Sequence, residues 1–349
     1  MNRITRGLKE LFADSEDVTF YPTYGYREGS DWRIPMRLWV HEPRKLVAGL
    51  VTSLAESIGN ATDLEQENLA VRIADIVADS ESREEVVFQF DNDPEEEEWM
   101  VQSENGSRLK TDLNGIIEGF ITLPHESAAA LMDAQGSENG WLTYHAISRE
   151  HVGSGRVRLI ESKGLSIISD IDDTIKITEI PAGVEVVVRN TFLRDFRAAP
   201  DMARRYKELG EAAFHYVSGG PWQLYDPLAS FIAKEGFPAG SFHMKSVPKN
   251  LLSLKTWKDL FKLVGDATVD QKLSQISEIM SRFPERKFIL VGDSGEHDPD
   301  IYSQLCEDFG DQIEEIWIRD VVNERQTNPE RLAGMTIIEA PTIVEDGSQ

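Results

Sequence analysis

A short apolar run, Leu165-Ser166-Ile167-Ile168-Ser169, begins just after Gly164 and stops abruptly at Asp170-Ile171-Asp172-Asp173-Thr174; no other stretch constrains the fold as much. Bounded by a glycine and closed by acids, such a run reads as a strand buried on both faces, as in a parallel sheet covered by helices. Ligands of open α/β sheets bind beyond the carboxyl ends of the strands. Asp170 and Asp172 therefore belong at the working edge, on a strand that cannot slip register without turning its apolar residues outward.

From residue 163 onward the pattern is consistent with that frame. Strands are expected at 165–169, 213–217, 241–244, 288–291, 313–318 and 335–338, and helices at 200–209, 221–234, 270–283 and 299–309. This alternation predicts a doubly wound, mostly parallel, Rossmann-like α/β sheet. The first half reads differently. Met36, Leu38 and Val40 alternate with Arg37, Trp39 and His41, the period of a strand over a core, and further strand-like runs lie at 18–21, 86–90, 99–101, 116–123, 141–147 and 157–160. One helix interrupts them, marked by the capping box Thr62-Asp63-Leu64-Glu65 and by Leu69, Ile73, Ile76 and Val77 at helical spacing. The expectation is a β-rich, sandwich-like domain over residues 1–160 and an α/β domain over 161–349, two domains being natural for 349 residues. The acidic run Asp91 to Glu98 lacks the glycine and spaced oxygens of a calcium loop and reads as a solvated hairpin tip.

Charge and cysteine content narrow the class. With 61 acids against 36 bases, the net charge of -25 repels nucleic acid backbones, so no nucleic acid partner is expected. The single cysteine, Cys306, excludes an internal disulfide and points to a reducing, cytoplasmic setting, with the thiol expected in the core. No apolar run reaches the roughly 18 residues of a transmembrane helix, and the N-terminus lacks the apolar region of a secretory signal.

Chemistry-bearing residues gather where strands end. Asp170 and Asp172 repel each other and attract a cation, for which Mg2+ with its preference for oxygen is the natural choice. Thr174 adds a hydroxyl beside them. Tyr216-Val217-Ser218-Gly219-Gly220-Pro221 runs a strand into a hydroxyl, two glycines and an expected proline-started helix, a setting in which backbone N–H groups hold anions. Lys272 lies near the start of an amphipathic helix, where an ammonium could balance phosphate charge. Asp293 closes a second buried strand. Asp298, followed by Pro299, fits either a helix cap or a metal shell, while Glu296 and His297 share its loop with no motif to assign them work.

Taken in order, these motifs resemble the haloacid dehalogenase superfamily of aspartyl phosphotransferases. Ser169-Asp170-Ile171-Asp172-Asp173-Thr174-Ile175-Lys176, Tyr216 to Trp222 and Gly292 to Asp298 look more narrowly like the catalytic domain of the actin-patch-associated phosphatidate phosphatases, over roughly residues 163–330. That resemblance implies a Mg2+-dependent phosphatase in which Asp170 attacks phosphorus and Asp172 serves as acid and then base, and so would carry a raised pKa. It further implies Lys272 as the charge-balancing catalytic cation, Thr174, Ser218 and Gly219 as phosphate ligands, and Asp170, Asp172, Asp293 and Asp298 around the metal. The implied substrate is phosphatidate, a phospholipid; rivals are a soluble or protein-borne phosphomonoester, or a scaffold keeping a spent fold.

Two further features bear on the substrate. Residues 175–199 read as a hairpin turning at Pro181-Ala182-Gly183, too small for a globular lid, which leaves the site open. Lys245, Lys249, Lys255, Lys258 and Lys262 interleave with Leu251, Leu252, Leu254 and Trp257 in an otherwise acidic chain. This is either the wet face of a core helix or a peripheral membrane contact.

Overall fold

The structure, a computed structural model, describes residues 15–42, 48–59, 61–247 and 269–343. Contacts divide the chain into two compact units, Met1–Lys45 with Ala78–Glu161, and Leu46–Val77 with Ser162–Gln349. This grouping differs from a single cut at residue 160. Helix Asp63–Ile76 begins at the expected Thr62 capping box, but it groups with the second unit, where Arg72 donates to the Thr191 carbonyl at 2.8 Å and Asn68 to that of Leu193 at 2.8 Å. A capping box fixes where a helix starts, not what its buried face meets.

The first unit is β-rich, as expected. Its strands are β1 (Glu16–Phe20), β2 (Thr23–Glu28), β3 (Asp31–His41), β4 (Phe88–Phe90), β5 (Ile116–Leu123), β6 (Trp141–Ala146), β7 (His151–Val152) and β8 (Ser154–Leu159). They pair in the order β4-β6-β8-β2-β3-β1-β7, with β5 joined to β3. The strand pairs fall into two sheets that share β2. The two pack on each other: Phe20 of β1 packs edge-on against Phe88 of β4 and Tyr144 of β6, with centroids at 5.8 and 5.2 Å, although β1 and β4 lie far apart in strand order. Trp32, Ile34, Met36, Leu38 and Val40 of β3 point into the same core. The acidic run after β4 is an exposed turn, its Asp93 carboxylate accepting the Glu95 and Glu97 amides at 3.0 Å.

The second unit is α/β around a fully parallel sheet of β9 (Leu165–Asp170), β10 (Ala213–Pro221), β11 (Gly240–Lys245), β12 (Lys287–Asp293), β13 (Ile313–Asp320) and β14 (Thr336–Glu339). Their order is β11-β10-β9-β12-β13-β14. The chain moves outward from β9 to β11, then returns to place β12 on the other side of β9. That reversal makes the β9/β12 edge the topological switch point, where open α/β sheets bind ligands. Asp170 ends one of these two strands and Asp293 the other.

Several local expectations are corrected. The 175–199 segment has an antiparallel stem, with Ile177 N donating to Arg197 O at 2.9 Å and Ala199 N to Ile175 O at 2.8 Å. Its tip, however, is helical: a 3-10 turn at Ile180–Ala182, a helix at Val184–Val188 and a π turn at Arg189–Leu193. Asp173 starts this path, its carboxylate collecting the Thr178, Glu179 and Ile180 amides at 2.9, 2.7 and 2.7 Å and turning the chain there. Strand β10 continues to Pro221, which is extended with φ -73° and ψ 151°, so the following helix starts only at Tyr225. Cys306 is exposed on its helix, not buried. Of the lysine-rich stretch, Lys245 ends β11, whereas Lys249, Lys255, Lys258 and Lys262 lie outside the described residues. Among the described residues no helix is long and apolar enough to cross a membrane.

Candidate active site

Strand β9 is buried from Ser166 onward and flanked by parallel neighbours on both sides, which fixes the height at which Asp170 emerges. Its Oδ1 accepts from Lys272 Nζ at 2.8 Å, and the same ammonium reaches Asp298 Oδ1 at 2.8 Å and Glu296 Oε2 at 3.5 Å. Lys272 stands in helix Val269–Arg282, on the buried face that also carries Ile276, Ile279 and Met280. Lys272 thus contacts three carboxylates at the strand ends.

Asp298 does not cap its helix. It is the first helical residue, with His297 in the cap position, and its Oδ2 accepts the Asp293 amide at 3.3 Å. Both oxygens are therefore engaged. This approach depends on Gly292, where an added Cβ would lie 2.4 Å from Asp298 Oδ2. Asp293 Oδ1 accepts the Gly295 and Glu296 amides at 2.7 and 3.2 Å. Its Oδ2, like Oδ2 of Asp170, is buried with no hydrogen-bond partner.

Those two orphaned oxygens mark a gap in the network. Asp170, Asp293 and Glu296 each offer one oxygen within 4.8 Å of the others, an all-oxygen set that suits a hard divalent cation such as Mg2+. Among the described residues, Lys272 is the only cation paired with Asp170, Glu296 and Asp298, while Arg319 and Arg331 act on Asp293 from further away. Burial, opposed by Lys272 and reinforced by the neighbouring acids, holds Asp170 well above the usual aspartate range. Burial and then Asp298, Glu296 and Asp170 do the same to Asp293, and burial outweighs Lys272 to push Glu296 up to about 7. Lys272 is held well above its ordinary value, its three carboxylate neighbours outweighing burial. Glu296 is the member that sequence reasoning did not select. Only the fold of the loop after β12, set by the Asp293 carboxylate gripping the Glu296 amide, turns it inward.

These shifts carry a sign for stability. A carboxyl whose pKa rises on folding binds more protons folded than unfolded, so stability falls as pH climbs from its unfolded value to its folded one. For Glu296 that window runs from 4.5 to about 7. Chelator-treated protein is expected to melt several degrees lower at about pH 7.5 than at about pH 5.5, and Glu296→Gln should lessen the difference. An unchanged slope in Glu296→Gln would remove this residue from the cluster's charge balance.

Asp172 departs from expectation. Lys176 Nζ lies 2.6 Å from its Oδ1, and Thr178 Oγ1 donates to the same oxygen at 2.5 Å. Burial pushes the pKa up, but Lys176 and Thr178 outweigh it and hold Asp172 below the ordinary range, the opposite of a raised acid. Nothing in the sequence singled out Lys176, because a lysine four residues on is a neighbour only if the chain turns. Here it does, since Ile171 O accepts both the Ile175 and Lys176 amides at 3.0 Å. Beside it, Ser218 is buried, with Oγ 3.4 Å from Asp172 Oδ2 and accepting the Gly220 amide at 3.0 Å. Thr174 is buried with Oγ1 lacking a partner, and Gly219 lies within β10 next to Ser218. His297 points to solvent.

Comparison with known proteins adds an independent observation. Residues 165–320 match the family model described as Phosphatidate phosphatase APP1, catalytic domain. Phosphatidate phosphatase APP1 of Saccharomyces cerevisiae is 33% identical over 171 residues, covering 48% of this chain and 27% of that protein. An uncharacterized protein of Schizosaccharomyces pombe is 30% identical over 173 residues, with the same coverage of 48% and 27%. The chain thus matches little more than a quarter of the length of these curated relatives. Among solved structures, a b-glucuronidase from Ruminococcus gnavus aligns over 93% of this chain and 46% of its own, at 9% identity and a TM-score of 0.23, too low to bear on the fold.

Proposed function

We propose that this chain, whose residues 165–320 carry an APP1-type catalytic domain, is a Mg2+-dependent phosphoric monoester hydrolase of haloacid dehalogenase type that converts phosphatidate to diacylglycerol and phosphate. The observation that carries this reading is Asp170, held at the tip of β9 by Lys272 through one oxygen with its other oxygen unpaired. A carboxylate so placed is an oriented nucleophile.

In this reading Asp170 Oδ2 attacks phosphorus and displaces the alcohol oxygen, leaving an aspartyl phosphate. Asp172 gives the leaving oxygen its proton, then takes one from the water that frees the phosphate. Its contact with Lys176 keeps it ionised at rest. An arriving phosphate dianion competes for that ammonium, and a carboxyl losing its cationic partner beside new negative charge rises in pKa. Thr174 Oγ1, Ser218 Oγ and the Gly219 amide are assigned to the phosphate oxygens. Asp170, the Asp172 carbonyl and Asp293 would hold Mg2+, with Glu296 beside them, and the ion would screen phosphate charge against the attacking anion. Asp298 is assigned to fixing Lys272, since both its oxygens are engaged.

A lipid substrate also requires contact with a membrane surface, which is proposed for the lysine-rich stretch from Lys245 to Lys262 in a cytoplasmic protein. Phosphate release from phosphatidate in mixed micelles, compared with glycerol 3-phosphate and a phosphopeptide, tests the substrate. Phosphatidate is expected to be preferred at least about tenfold, or ~1.4 kcal/mol; equal or better turnover of a soluble ester would overturn the lipid assignment while keeping the chemistry.

A further inference from the structure

We propose that Glu16, Glu84 and His151 of the β-rich unit form a binding site for one divalent transition-metal ion of the Zn2+ type. Glu16 opens β1 and His151 opens β7, and the two residues are direct partners across that parallel pair. Glu84 is tied down from both sides: its amide donates to Thr111 Oγ1 at 2.9 Å, and its carbonyl accepts the Thr111 amide at 3.0 Å. All three side chains therefore stand on fixed backbone.

The geometry points to a shared ligand and not to a finished ion pair. His151 is 3% exposed, and its Nε2 has no hydrogen-bond partner; Oε2 of Glu16 is likewise buried and unpaired. These atoms are 3.4 Å apart, and Glu84 Oε2 lies 3.9 Å from the same nitrogen. Two ligands each about 2.1 Å from a tetrahedral ion stand about 3.4 Å from one another. One ligand atom from each residue lies within 4.8 Å of the others. A mixed imidazole and carboxylate set suits Zn2+, Mn2+ or Co2+, whereas Mg2+ prefers oxygen alone.

The surroundings favour a cation. Burial and then the carboxylates of Glu84, Glu81, Glu150 and Glu42 push Glu16 up to about 7, while burial, opposed by Glu84 and Glu150, holds His151 below its usual value. On the far side of the ring, Ser148 Oγ lies 3.1 Å from Nδ1, the outer contact that a metal-bound imidazole keeps. That hydroxyl also accepts the Glu150 and His151 amides at 3.2 and 3.0 Å, which fixes it beside the ring. A cation held at Nε2 requires the ring proton on Nδ1, beside Ser148 Oγ, and any proton on Glu16 passes to solvent.

The full chain, stripped with chelator and titrated with Zn2+ alone, tests this by calorimetry and by ring-nitrogen NMR of His151. Wild type is expected to bind one equivalent more than Glu84→Gln or His151→Gln, with the His151 Nε2 resonance shifted by zinc and a raised melting temperature that Glu84→Gln lacks. If His151→Gln fails to fold, the less buried Glu84→Gln decides the stoichiometry. Equal zinc stoichiometry in wild type and Glu84→Gln, or a His151 ring unmoved by zinc, would overturn the proposal.

Discussion

Asp170→Asn is expected to reduce phosphate release from phosphatidate by at least about a thousandfold while leaving the fold intact, because an amide cannot form the aspartyl phosphate. The shape of the side chain is unchanged. The charge is not, and in a site where burial already holds Asp170 well above the aspartate range, removing it relieves repulsion from Asp298, Glu296 and Asp172. Without divalent cation the variant should therefore melt no lower than wild type, even though it loses the 2.8 Å contact to a charged Lys272 partner. Inactivity combined with unimpaired stability would mark a residue placed for chemistry. Release within tenfold of wild type would remove Asp170 from the reaction.

Lys272→Met should fail differently, losing both activity and stability. Its ammonium is the only cation within reach of Asp170, Asp298 and Glu296 among the described residues. Breaking a buried pair by removing one partner costs about 3–5 kcal/mol, because the remaining charges stay buried and unpaired. For a unit of this size that corresponds to a fall in melting temperature of roughly 10 °C. Added Mg2+ should restore part of the loss, since a cation bound to Asp170 and Asp293 neutralises some of the same charge. A melting temperature equal to wild type, with or without Mg2+, would show that Lys272 does not carry the balance assigned to it.

The two variants rest on parts of the site that differ in how legible they were from sequence. Asp170 and Asp293 could be read because each ends a run of apolar residues, and buried parallel strands announce both their course and their tips. Lys272 could be read from its place on an amphipathic helix, although its contacts could not. Glu296 and Lys176 were hidden for a common reason: each depends on a local turn, the Asp293 carboxylate gripping the Glu296 amide in one case and the Ile171 carbonyl taking the Ile175 and Lys176 amides in the other. A hydrogen bond from a backbone amide to a carboxylate leaves no periodic trace. The same holds at the 175–199 tip, where a glycine and a proline suggested a hairpin and the Asp173 carboxylate turned the chain toward a helical tip instead. In the first half, β3 was plain from alternation, but which unit the helix Asp63–Ile76 joins depended on Arg72 and Asn68 finding carbonyls more than a hundred residues away.

The central claim, that phosphate passes through Asp170, is tested most directly by rapid acid quench of the enzyme turning over phosphatidate with Mg2+, followed by mass spectrometry of the peptide containing Asp170. Phosphoryl-aspartate at Asp170 is predicted in wild type, and is expected to be absent in Asp170→Asn and in chelator. Phosphate release that continues without any such adduct, or that persists in chelator, would contradict it.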